Sequence, residues 1–369
     1  MNDAPHIALA HDWLVGMRGG EQVLDRLASL CGPTELYTLV HDTTPHTPAI
    51  DACRIVTSSL QALPGARGCA RRWYLPLMPR AVSQVQVAPC DLLISTSSAV
   101  MKSIRPPAGV PHVCYCHSPA RYIWEQGADY GHGARGRLRS FGLSMIRRRF
   151  QRWDRRTADR VTMFIANSTH TAQRIRRCYG RDATVIHPPV RTAYFTPDPT
   201  VDRASHHLVV SALEPYKRVD LAIEAARRDG WPLRIVGDGS QRRTLERTAP
   251  SHVTFTGRID DAALRDEYRA ARALLFPQVE DFGIIAVEAM ATGCPVVAMR
   301  GGGALDTVTN ETGVFFDEQR ASALAEAVAT LDGHAFETHA IRAHAETFSV
   351  ERFDQTMRDV IDAMRSAGG

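Results

Sequence analysis

The stretch Ala273-Leu274-Leu275-Phe276-Pro277-Gln278-Val279-Glu280-Asp281-Phe282-Gly283-Ile284-Ile285-Ala286-Val287-Glu288-Ala289-Met290-Ala291-Thr292-Gly293 decides the fold. Its first five residues form a short apolar run closed by proline, the pattern of a buried strand. From about Ile284 the pattern is helical, and Glu280, Phe282 and Gly283 lie in the loop between. Strand, tight loop and helix make one βα unit. The first amides of that helix are unpaired donors at the positive end of its dipole, suited to sugar hydroxyls or phosphate. Gly283 lets a ligand come close to the backbone. Glu280 and Glu288 can then face one ligand from two sides. Two isolated glutamates would read as solvated residues, but their setting behind a strand reverses that.

The same alternation extends in both directions. Apolar runs fall at His6–Ala10, Leu36–Val40, Arg54–Thr57, Leu92–Thr96, His112–Cys116 and Thr162–Ala166. A second series falls at Leu208–Ala212, Pro232–Val236, Val253–Thr256, Ala273–Pro277, Pro295–Ala298 and Val314–Phe316. Amphipathic segments such as Glu21–Leu30, Val219–Arg228, Asp261–Ala270 and Ala321–Leu331 lie between them. Such a pattern predicts an α/β protein of two doubly wound, Rossmann-like domains. Ligands of open α/β sheets bind at the carboxyl ends of strands, so the two domains are expected to face each other across a cleft. Pro188, Pro189, Pro197 and Pro199 mark a linker near 188–204. Domains are therefore expected at 1–190 and 200–348. Residues 349–369 form a terminal helix whose stripe of Phe353, Met357, Ile361 and Met364 needs a surface, most simply the first domain.

Composition narrows the function classes. With 369 residues, 44% hydrophobic and 23% charged, the chain is neither disordered, collagen-like nor a small disulfide scaffold. Eight cysteines without a CxxC pair fit a reducing cytosol. Cys114 and Cys116 alternate on one face of a buried strand. The first residues lack a basic n-region, and no stretch approaches the ~18 apolar residues of a membrane span. No Asp-x-Asp pair, no GxxxxGK[ST] and no GxGxxG after the first strand is present, which removes the usual metal-diphosphate clamp, ATP phosphoryl transfer and NAD chemistry.

Of the 44 basic residues only Lys102 and Lys217 are lysines. A lysine following Pro215 and Tyr216 in so arginine-rich a chain suggests a site that wants a compact point charge, an incidental surface lysine being the alternative. His117 ends an apolar strand before Pro119, at the cleft end of a sheet, where a histidine is as often a hydrogen-bonded structural residue. Gly237-Asp238-Gly239 and Gly301-Gly302-Gly303 also follow strand ends, and are explained equally well as turns.

Two carboxylates with seven residues between them, in Glu280-Asp-Phe-Gly-Ile and Glu288-Ala-Met-Ala-x-Gly, resemble the signature of retaining glycosyltransferases with two Rossmann domains, the GT-B type of glycosyltransferase family four. His11-Asp-Trp-Leu, Gly19-Gly20-Glu21, Cys116-His117-Ser-Pro119-Ala-Arg121-Tyr122, Asn167-Ser168, His187-Pro188-Pro189-Val190 and Pro215-Tyr216-Lys217-Arg218 extend the likeness over nearly the whole chain. It is strongest with bacterial mannosyltransferases of O-antigen and exopolysaccharide assembly. The resemblance implies that Glu288 holds the nucleotide ribose, Glu280 the donor sugar, and the backbone of Phe282, Gly283 and Ile284 the sugar hydroxyls or distal phosphate. It further implies that Lys217 neutralises the diphosphate, that His117 touches the transferred sugar, and that Gly19 and Gly20 approach phosphate and acceptor. Many relatives carry an arginine where Ala212 stands here; either Lys217 acts with backbone amides alone, or Arg218, Arg258 or an arginine of the other domain substitutes. By the same resemblance the reaction needs no cofactor or metal, the nucleotide sugar is a substrate, most simply GDP-mannose, and the acceptor is a lipid-linked saccharide. A nucleotide-sugar epimerase of the same architecture and a non-enzymatic arginine-rich binding protein are the rivals.

The net charge of +4 is unevenly placed. Between Arg135 and Arg160 ten arginines face Asp154 and Asp159, a net of +8 that leaves −4 for the rest. Leu138, Phe141, Met145, Ile146, Phe150 and Trp153 recur there at helical spacing. An amphipathic helix of this kind suits an anionic membrane surface at the inner face of the plasma membrane. The alternative is a helix packed on the first sheet with its arginines solvated. Nucleic acid is not expected, since the charge is confined to one helix without a recognition motif.

Overall fold

All twelve apolar runs are strands in the computed structural model, which describes residues 6–17, 19–42, 44, 46–68, 74–124 and 147–366. Strands β1 (Ile7–His11), β2 (Glu35–Thr38), β3 (Arg54–Thr57), β4 (Leu92–Ser97), β5 (His112–Cys116), β6 (Met163–Ala166) and β7 (Ala183–Val185) form one parallel sheet in the order β3-β2-β1-β4-β5-β6-β7. Strands β8 (His207–Val210), β9 (Leu233–Val236), β10 (Val253–Gly257), β11 (Leu274–Phe276), β12 (Val296–Met299) and β13 (Gly313–Phe316) form a second, in the order β10-β9-β8-β11-β12-β13. Only β7 was not anticipated. It has three residues on a sheet edge, none of them fully buried, so it carries no apolar run to announce it.

Alternation along each strand builds two covered faces. Ile7 and Leu9 join one core while Ala8 and Ala10 join another. Likewise Val113 and Tyr115 face one side of β5, and Cys114 and Cys116 face the other with Phe164, as their spacing predicts.

The chain divides into two units, Met1–His187 with Phe353–Gly369, and Pro188–Arg352. The terminal helix Val350–Ser366 sinks Phe353, Met357 and Ile361 into the core around Leu9 and Tyr115 of the first unit, and Arg26 pairs with Asp354. The proline-rich stretch expected to be a linker belongs to the second unit. Within it Val190 donates its amide to the Phe348 carbonyl at 3.0 Å, and the buried Phe195 ring stands edge-on to Tyr268 at 5.7 Å.

Of the basic segment, residues 147–158 are helical. Leu138, Phe141, Met145 and Ile146 lie outside the described residues. Phe150 is buried and stands edge-on to Trp153, while Arg148, Arg149, Arg152, Arg155 and Arg156 are exposed. Arg147 instead turns inward and donates to the carbonyls of Ile123 and Trp124. A buried ion pair pins the helix: Lys102 Nζ lies 2.9 Å from Asp154, and Trp124 donates to the other carboxylate oxygen at 2.8 Å. Lys102 also donates to the Asp154 carbonyl and Thr157, so its charge is spent inside the fold.

Candidate active site

In each sheet the winding direction reverses once, between β1 and β4 and between β8 and β11, and at such a point the two following loops diverge to open a crevice. Lys217 follows β8 and Glu280 follows β11. Topology alone therefore explains why residues 63 positions apart meet: Lys217 Nζ is ion-paired with Glu280 Oε1. Gln278, itself buried, donates to the same oxygen at 3.2 Å. The Tyr216 ring lies 5.3 Å from the ammonium, which adds a cation–π contact.

The Glu280 loop is held by what packs around it. Phe282 is buried against Phe348, with ring centroids 5.8 Å apart, an anchoring of about 1.5–3 kcal/mol for a fully buried side chain. Gly303 donates its amide to the Glu280 carbonyl at 2.8 Å. A Cβ on Gly302 would sit 2.2 Å from that same carbonyl oxygen, and one on Gly303 2.3 Å from the Phe282 Cα. The glycine triplet thus does more than turn the chain. Gly283 adopts φ +89, a left-handed conformation that favours glycine, with the Phe276 ring where a side chain would stand. The helix Ile284–Ala291 starts immediately behind it, its first-turn amides directed toward the loop.

Glu288 lies one turn into this helix, 6% exposed, and accepts a hydrogen bond from the buried Tyr268 hydroxyl at 3.2 Å. Burial pushes its pKa up to about 7; Arg191 nearby and the Tyr268 hydroxyl pull the other way without prevailing. Arg191 is itself bound to Asp261 at 2.6 Å. Gln278, Tyr268 and Arg191 were not picked out from the sequence, because nothing in their spacing distinguishes them from ordinary core and surface residues.

The remaining candidates of this unit stand apart. Arg218 occupies a left-handed position, φ 52, and forks onto Asp220. Arg258 is exposed at the end of β10, two strands from β8, and has no ion pair with a described residue. Gly237 and Gly239 pack onto the carbonyls of Ser211 and Leu213 just after β8.

In the first unit Gly19 and Gly20 open the helix Gly19–Cys31 behind β1, and His117 directly follows β5. Gly20 meets His117: the position of a Cβ on it is 3.5 Å from His117 Nε2 and 3.6 Å from the His11 ring, whereas a Cβ on Gly19 would touch nothing within 4 Å among the described residues. His11 bonds Thr96 at 2.6 Å and stands 3.8 Å from the buried Glu21 carboxylate. Burial raises Glu21, but the His11 ring outweighs it and leaves the carboxyl below its ordinary range. The carbonyl of His117 accepts from the Asn167 amide at 3.1 Å, and His187 reaches the Asn167 carbonyl at the same distance, so three quoted motifs form one network. Asp12 had no assigned role. Its carboxylate takes four successive backbone amides, Ser98 at 2.6, Ala99 at 2.8, Val100 at 2.9 and Met101 at 2.8 Å.

Comparison with known proteins adds the following. Residues 21–194 match the family described as Glycosyltransferase Family 4, and residues 200–332 match Glycosyl transferases group 1. A GDP-mannose-dependent alpha-(1-6)-phosphatidylinositol monomannoside mannosyltransferase of Mycobacterium tuberculosis is 33% identical over 208 residues, 48% of this chain and 54% of that protein. A D-inositol 3-phosphate glycosyltransferase of Gordonia bronchialis is 30% identical over 296 residues, 70% of this chain and 60% of that protein. The chain thus spans little more than half the length of these curated relatives. Among solved structures, sucrose-phosphate synthase of Thermosynechococcus elongatus aligns with TM-score 0.74 at 18% identity, over 98% of this chain and 99% of that one. Anabaena HepE with UDP-glucose aligns with TM-score 0.69 at 18% identity, over 97% and 99%. The fold is that of these two-Rossmann-domain proteins, and the likeness to glycosyltransferases extends over both halves of the chain.

Proposed function

We propose that this chain, whose two halves match glycosyltransferase families, transfers a hexose, mannose from GDP-mannose, with retention onto a lipid-linked saccharide. The observation that carries this is the joining of Lys217 and Glu280 at the crevice of the second sheet, with Gly283 and a helix start beside them and Glu288 buried behind. A departing diphosphate gains negative charge in the transition state. Lys217 and the first-turn amides are preorganised donors for that charge. Glu280 then positions the donor sugar, and an ionised Glu288 accepts from both ribose hydroxyls. The choice of GDP-mannose follows the relatives named for it. No described helix is long and apolar enough to cross a membrane. Contact with an anionic inner membrane face falls to the exposed arginines 148, 149, 152 and 156, whereas Arg147 is committed within the fold.

A thermal-shift panel of GDP, UDP, ADP and their sugars tests the donor. A ligand at 100 times its dissociation constant stabilises by about 2.7 kcal/mol, and a response to UDP compounds alone would sink the mannose assignment. Release of an altered sugar without acceptor would favour an epimerase. Flotation with anionic liposomes, lost when Arg148, Arg149, Arg152 and Arg156 are replaced, tests the membrane contact.

A further inference from the structure

A second cluster of chemistry-bearing side chains lies in the first unit, on the loop that leaves the carboxyl end of β2. His41, Asp42 and His46 each offer one ligand atom, and these atoms lie within 4.8 Å of one another. His46 is the telling residue. Its side chain is 1% exposed, yet neither ring nitrogen has a hydrogen-bond partner among the described residues. Buried polar atoms are nearly always satisfied, and an imidazole orphaned at both nitrogens calls for an ion or a water. A carboxylate stands opposite each nitrogen: Asp42 lies 3.7 Å from Nε2, and Asp51 lies 4.0 Å from Nδ1. Both separations are too long for a hydrogen bond. The first suits two ligands of one metal, since tetrahedral ligands about 2.0–2.2 Å from the ion lie a little over 3 Å apart. Asp51 instead accepts the His46 backbone amide on both carboxylate oxygens at 3.2 Å, which fixes where this histidine stands.

We propose that His41, Asp42 and His46 bind one divalent transition cation of the zinc type, with Asp51 orienting His46. The two imidazoles, borderline ligands, favour zinc over magnesium or calcium even beside a hard carboxylate, and three protein ligands leave a fourth position open. The backbone is built for it. Gln61 clamps both the amide and the carbonyl of His41 at 2.8 and 2.9 Å, and the Asp42 amide donates to the Leu14 carbonyl at 2.8 Å. Just past His46, Thr47 caps the short helix Pro48–Asp51 and fixes where the second histidine enters. Lys217 and Glu280 belong to the other unit, and none of the three proposed ligands has a role in the proposed transfer chemistry.

The experiment is equilibrium dialysis of the untagged full chain against zinc, with cobalt(II) absorption as a second probe. One tightly held zinc per chain is expected, together with visible cobalt bands of a four-coordinate site. His46→Gln and Asp42→Asn should abolish or weaken binding by at least about 100-fold, and Asp51→Asn by roughly 10–100-fold. Asp42 and Asp51 are partly exposed, so these variants retain the fold even if His46→Gln does not, and circular dichroism checks each. Absence of binding by the unaltered chain, unchanged affinity in folded Asp42→Asn, or a near-ultraviolet thiolate band placing cobalt on cysteine would each overturn the proposal.

Discussion

The two units share a topology but use its crevice in opposite ways. Beside the β1/β4 reversal, Asp12 takes four backbone amides from residues 98–101, so that crevice is satisfied from within. At the β8/β11 reversal the groups that meet are a lysine and a glutamate, whose charges can be exchanged for those of a ligand. A doubly wound sheet supplies a place for a ligand; the side chains decide whether the place stays open. The two lysines repeat the contrast. Lys102 is enclosed with Asp154, Thr157 and the Tyr179 ring, whereas Lys217 sits at the margin of solvent with Glu280.

Breaking the closed crevice should have the largest effect. Asp12→Ala leaves four amides without their acceptor and is expected to cost about 4 kcal/mol of stability in chemical denaturation, because each buried orphan donor costs about 1–3 kcal/mol and partial rescue by water is expected. If Asp12 served catalysis instead, its loss would lower turnover and leave the unfolding midpoint in place. Next comes the open crevice. Lys217→Ala should reduce donor turnover about 10²–10³-fold with the unfolding midpoint retained, the scale of losing one preorganised donor to developing charge.

Glu288 sharpens the contrast through pH. Its folded pKa of about 7 lies above the unfolded carboxylate value, so the native state holds a proton that the unfolded chain has released between those values. Stability from this group is therefore full below about pH 4.5 and declines as pH rises through about 7, a loss on the order of 3 kcal/mol. Glu288→Gln should remove that decline, so that the variant is the more stable protein at pH 8 and gains nothing at pH 4. Donor affinity should run the other way: in the parent it improves as pH rises through about 7, since only the ionised carboxyl accepts from both ribose hydroxyls, and in the variant it is weak and flat. The smallest effect is expected from Lys217→Arg, a roughly tenfold loss in turnover that keeps the charge but not its compactness. Equal activity would show that the crevice reads charge alone.

Most of the fold was legible because buried parallel strands leave continuous apolar runs. Arg54–Thr57, His112–Cys116 and the helix Asp261–Ala270 fall on the residues their patterns specify. β7 was not legible, since an exposed edge of three residues needs no such run. The site was legible where one segment holds its parts, as from Glu280 to Glu288. It was opaque where a partner comes from elsewhere in the chain: neither Tyr268 beneath Glu288 nor the clamp of Asp12 on residues 98–101 leaves any periodicity. The glycine triplet at 301–303 was visible as a turn, but its purpose as a bed for the Glu280 loop depends on a packing distance.

That bed has a consequence for anyone screening variants. The loop carrying Glu280 has no spare volume beneath it, so even a single methyl at 302 or 303 must displace the backbone that carries the Glu280 carboxylate. A deep mutational scan scored by activity would therefore mark these two positions among the least tolerant in the chain, although neither side chain they lack would touch a ligand.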